Sequence, residues 1–97
     1  MNPRIKAQIK MRPETDGGRH GPFWAGYRPH LIADGSDTML GIIVIAPDEN
    51  AMIYPGSEAE IEMELVYHPQ MDYSLLQKGK HFTIQEGAKT VGEGIVL

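Results

Sequence analysis

The clearest pattern in the chain is an alternation running from Glu58 to Tyr67. Ala59, Ile61, Met63 and Leu65 take one side, and Glu58, Glu60, Glu62 and Glu64 the other. Successive side chains of a strand point to opposite faces, so the stretch predicts a strand with one buried and one wet face. A helix would spread the glutamates around its circumference and leave no apolar stripe. The glutamates therefore read as a solvated strand face and not as a cation site. Ile5, Ala7, Ile9 and Met11 alternate with Lys6, Gln8, Lys10 and Arg12 in the same way. Leu40 to Ala46 is almost wholly apolar and reads as a central strand. Tyr27 to Ala33 contains Pro29, which has no N–H for a ladder, so this strand lies at an edge or begins after the proline. Phe82 and Ile84 anchor a short strand, and Val91, Ile95 and Leu97 a last one, where Gly92 and Gly94 allow bends or close backbone approach.

Turn chemistry separates these runs: Asp16-Gly17-Gly18, Asp34-Gly35-Ser36-Asp37, Pro47-Asp48-Glu49-Asn50, Tyr54-Pro55-Gly56 and Lys78-Gly79-Lys80. About six short strands with dense turns predict an all-β domain, and closure into a single antiparallel barrel removes the edges. The 97 residues fit one domain over 1–97. Folding a chain of this size buries roughly 60–65% of its unfolded surface, enough for one modest core.

Composition narrows the function. No cysteine is present, which excludes disulfides and thiolate metal sites. Nine basic against 13 acidic residues give a formal charge of −4, a poor basis for non-specific phosphate binding. No apolar run approaches the ~20 residues of a membrane span. No long apolar segment follows Met1-Asn2-Pro3-Arg4, so no secretory signal is expected and the cytoplasm is the expected setting. His20, His30, His68 and His81 are scattered, so no metal site is expected. Gly87-Ala88-Lys89-Thr90 ends like a phosphate loop. However, Ala88 stands where the second glycine belongs, so it reads as a strand start. No serine has a nucleophile context. Neither catalysis nor a cofactor is expected.

The distinctive stretch is Gly17 to His30, which holds Arg19, Arg28, His20, His30, Phe23, Trp24 and Tyr27 on an irregular segment. Functional residues concentrate on loops held by a rigid sheet, and Tyr, Trp and Arg are enriched at interface hot spots. Equally, the aromatics can cap a small core while the arginines brace turns.

At this segment the sequence resembles elongation factor Tu. Gly17-Gly18-Arg19-His20, Pro22-Phe23 and Gly26-Tyr27-Arg28-Pro29 are similar to the family's Gly-Gly-Arg-His-Thr-Pro-Phe and Gly-Tyr-Arg-Pro-Gln. Tyr54-Pro55-Gly56, His68-Pro69 and the run Glu86 to Val96 follow in the family's order. The resemblance, to the third, C-terminal domain, covers Ile5 to the C-terminus. It implies a six-stranded antiparallel barrel that packs on a GTPase domain and helps bind the T-stem of aminoacyl-tRNA. By the match, Gly18, Arg19 and His20 lie near the GTPase-domain contact, and His30, Glu86 and Gly87 near the tRNA backbone.

Several positions depart from the family. His30 replaces a glutamine, and Asp34-Gly35-Ser36-Asp37 stands where the family has Arg-Thr-Thr-Asp. Met39 or Leu40 falls where the family has a tRNA-contacting threonine, and the stretch between Pro69 and Phe82 is longer. An anion in place of a cation repels phosphate. The P-loop-bearing part of the family is not in this sequence, and the opening Met1-Asn2-Pro3 favours a free-standing relative. The expected function is a non-catalytic module that binds a protein, a translation GTPase domain being one such partner, through Gly18, Arg19, His20, Trp24, Tyr27 and Arg28. The alternative is an aminoacyl-tRNA-binding module of an elongation factor that uses His30, Glu86 and Gly87.

Overall fold

The computed structural model describes residues 2–46 and 51–97; the turn expected at Pro47-Asp48-Glu49-Asn50 lies outside them. The strands are β1 (Arg4–Met11), β2 (His30–Ala33), β3 (Leu40–Gly41), β4 (Ile43–Ala46), β5 (Glu58–Glu64), β6 (His81–Glu86) and β7 (Lys89–Val96), with one 3₁₀ turn at Glu14–Asp16. They form one antiparallel sheet in the order β3-β2-β6-β7-β1-β5-β4. Its two outer strands, β3 and β4, follow each other in the chain with only Ile42 between them. The sheet therefore curls round until its ends meet, giving the expected barrel.

The strand count differs from expectation, seven against six, because the run Leu40 to Ala46 divides at Ile42. The first half pairs with β2 and the second with β5. At the break the Ile42 N–H donates to the Pro29 carbonyl at 3.3 Å, in the register of β2 and β3, but Pro29 has no N–H to return the bond. β2 begins only after Pro29, as its missing N–H requires.

In β1, Ala7, Ile9 and Met11 are buried, and in β5 Ile61 and Met63 are, with Leu65 just beyond it. Glu58 and Glu60 are exposed, whereas Glu62 and Glu64 are half-covered and not fully exposed as the alternation predicts. The covering groups come from the neighbouring strand. Register sets Lys10 opposite Glu58, Lys6 opposite Glu62 and Arg4 opposite Glu64, and Asn2 Nδ2 donates to Glu64 Oε2 at 3.2 Å. Three of the four glutamates thus face a cation and Glu60 faces Gln8; opposite charges across a ladder stabilise the pair.

The last strand departs from simple alternation. Ile84 pairs with Gly92 but Gln85 with Thr90, which leaves Val91 as a bulged extra residue. The bulge changes the parity, so Val91 and Val96 are buried while Ile95 is only half-buried. Leu97, expected on this strand, lies past its end and is exposed. Gly94 is required here: a Cβ would sit 2.6 Å from Phe82 Cζ and 2.9 Å from the Gln8 carbonyl.

The long connection from β5 to β6 adds Tyr73 and Leu76 to the core. The Tyr73 hydroxyl donates to the Gly41 carbonyl at 2.6 Å and accepts from the Tyr67 N–H at 3.1 Å. The Tyr67 ring packs so closely on Gly41 that a Cβ there would lie 2.4 Å from its Cε2.

Candidate functional site

The segment between β1 and β2 is irregular but tightly held. After the 3₁₀ turn, Gly17 takes a left-handed conformation (φ 84°), which costs glycine little. Gly18 is buried, and its N–H donates to the Pro13 carbonyl at 2.9 Å. A Cβ on Gly18 would fall 2.1 Å from the Arg12 carbonyl oxygen, so only glycine permits this crossing.

Further on, Phe23 and Ile53 exchange backbone hydrogen bonds of 3.0 and 2.8 Å. The Gly26 N–H donates to Val44 at 2.7 Å, and the Val44 N–H to Tyr27 at 2.9 Å. Residues 26–29 thus run along residues 42–44 while Phe23 is held on Ile53, so the segment is an arm laid on the barrel.

The side chains of this arm fall into two groups. The first is a clasp. Arg19 Nη1 forms an ion pair with Glu86 Oε2, Nε donates to the Gly21 carbonyl at 3.3 Å and Nη2 to the Pro22 carbonyl at 3.3 Å. The guanidinium lies 4.6 Å from the centre of the Tyr27 ring, within cation–π range. Tyr27 packs on Phe23 with centroids 4.4 Å apart, and its hydroxyl donates to the same Glu86 oxygen at 2.5 Å. Burial and the hydrogen bond to Glu86 push the Tyr27 hydroxyl well above the usual phenol range. Burial alone would raise the Glu86 carboxyl, but hydrogen bonds from Tyr27 and Arg19 hold it below the usual carboxylate range. At neutral pH the clasp is one cation, one anion and a neutral phenol.

The second group faces solvent. Phe23 and Ile53 point into the core, so their neighbours point out. Trp24 is 49% exposed, Met52 52% and Tyr54 55%, and the Tyr54 hydroxyl lies 3.5 Å from Met52 Sδ. The bridge between Phe23 and Ile53 brings these three residues from two distant stretches to one surface. A depression of about 210 Å³, lined by Arg19, Pro22, Phe23, Trp24, Gly26 and Tyr27, adjoins Trp24.

The aromatics of the arm divide: Phe23 is core, Tyr27 half-buried and Trp24 exposed. Arg19 is a brace, with its three nitrogens engaged, and Gly18 presents no surface. His20 is exposed and pairs with Glu14 at 3.1 Å. Arg28 is exposed. His30 pairs with Gln85 across β2 and β6, which places it beside Glu86 and Gly87. Gly87 is exposed in the β6–β7 turn with φ 62°. Nothing in the sequence linked Met52 and Tyr54 to Trp24, since only the bridge joins the two stretches. No group of three or more metal-ligating side chains occurs among the described residues, and no helix there is long and apolar enough to cross a membrane. A family model described as Elongation factor Tu C-terminal domain matches residues 2–97.

Proposed function

The chain belongs to the elongation factor Tu C-terminal domain family, and from that premise we propose that it is a non-catalytic, cytoplasmic module whose arm, residues 17–30, docks a protein partner. A translation GTPase domain is the partner that the family membership suggests. The observation that carries this is the exposed Trp24, Met52 and Tyr54 surface, set beside a clasp whose charges cancel. Large aromatics anchor protein interfaces, and a neutral clasp offers little to a phosphate. The acidic balance of −4 and Asp34, where the family carries arginine, favour the same partner class.

One observation supports a second reading. His30 pairs with Gln85, next in the chain to Glu86 and Gly87, the residues that the family resemblance gives to aminoacyl-tRNA. Binding measured at two salt concentrations separates the two. Neutralised phosphates make affinity fall steeply as salt rises, whereas an aromatic interface responds weakly. The protein reading predicts retention of the GTPase domain at both salt concentrations and no retardation of aminoacyl-tRNA at moderate salt. A complex with tRNA that dissolves between about 50 and 200 mM salt would replace it with the RNA reading.

A further inference from the structure

Glu86 sits 59 residues from Tyr27 and 67 from Arg19 in sequence, yet its one oxygen, Oε2, receives both side chains. The backbone of the arm is anchored separately, by bonds between Phe23 and Ile53 and between Gly26, Tyr27 and Val44. Trp24 lies in the turn between these anchors, closed by the Tyr27 N–H to Trp24 carbonyl bond at 3.2 Å. The arm is therefore held by its backbone at Val44 and Ile53 and by two side chains at Glu86, the last residue of β6.

We propose that Glu86 is a positioning residue of the binding arm: it clamps Arg19 and Tyr27 together and thereby fixes how the arm displays Trp24. Glu86 touches no partner in this scheme. It joins two stretches that the sequence keeps apart, residues 19–27 and the end of β6. This gives Glu86 a different role from the RNA contact implied by family resemblance. Its energetic weight comes from charge-assisted bonds in a half-buried site, stronger than neutral ones.

The inference rests on the arm's being the binding surface only for its importance. Its test needs no partner, so the clamp can fail while the docking surface stands, and the reverse. Amide hydrogen exchange is measured on the whole chain for wild type, Glu86→Gln and Glu86→Ala. Glu86→Gln keeps the shape and an acceptor but removes the charge. Glu86→Ala should speed exchange at the Gly26 and Tyr27 amides about tenfold or more, the weight of a bond to a charged group. Glu86→Gln should do so to a smaller extent, and Ile9 and Ile61, in β1 and β5, should stay within about twofold, as independent opening units do. Acrylamide quenching of Trp24, the only tryptophan, should change in step.

If Glu86→Ala does not fold, Glu86→Gln and Tyr27→Phe still carry the test, because each leaves the ring packing in place. Unchanged exchange at Gly26 and Tyr27 would overturn the proposal. So would equal acceleration in β1 and β5, which would make Glu86 a support of the whole barrel and not of the arm.

Discussion

Replacing Tyr27 by Phe isolates one bond of the clasp. The ring remains, so its packing on Phe23 and its position under the Arg19 guanidinium survive. What disappears is the 2.5 Å hydrogen bond to Glu86. A bond to a charged group contributes about 1.5–3 kcal/mol. Glu86 keeps 32% of its side chain exposed, and solvent screening brings the expected loss towards the lower end, about 1–2 kcal/mol.

The loss must depend on pH, with a determined sign. Arg19, Tyr27 and Lys89 are the groups that act on Glu86, and its carboxyl lies below the usual range. A depressed carboxyl stabilises fully above its unfolded value, about 4.3, and loses that contribution as pH falls through the lower folded value. Urea denaturation of both proteins at pH 7 and near pH 3 measures it. The stability gap should be present at pH 7 and shrink at pH 3. A gap of equal size at both, or none at pH 7, would refute the clasp as drawn.

Other outcomes follow from the barrel. Leu65→Ala should cost about 2–5 kcal/mol and Glu60→Ala no more than about half a kcal/mol, since Leu65 is buried and Glu60 exposed; equal losses in thermal melts would mean a register wrong by one residue. Gly94→Ala should cost about 1–3 kcal/mol by overpacking, because the added carbon meets both the Phe82 ring and a backbone oxygen; an unchanged melting temperature would show that the strands can part there. A titration with labelled GTP and magnesium should be flat, as no phosphate loop is present, and micromolar affinity would contradict that.

How much of this was legible in the sequence depended on whether a signal was local. The alternation of β1 and β5 records which face is buried, so Ile9, Ile61 and Met63 could be placed in the core without coordinates. Pro29 likewise marked where β2 could start. The division of Leu40 to Ala46 was invisible, because its two halves pair with strands far apart in the chain, β2 and β5. The bulge at Val91 left only a trace, the pair Gly92 and Gly94. At the site, the local motif singled out Arg19, Trp24 and Tyr27, but not which would be spent inside. That division depends on Glu86, far along the chain, and the addition of Met52 and Tyr54 depends on a single bridge.

The most direct test of the docking surface is Trp24→Ala in a binding titration with the GTPase domain of an elongation factor Tu, followed on the isotope-labelled chain. The substitution removes an exposed side chain and leaves the barrel intact, as surface changes usually do. A hot-spot tryptophan contributes about 2 kcal/mol or more, which is roughly thirtyfold in affinity. The account predicts wild-type shifts at residues 22–28 and 52–54, and a loss of that size in the variant. Equal affinity for wild type and variant, or shifts confined to His30, Glu86 and Gly87 on addition of aminoacyl-tRNA, would contradict it.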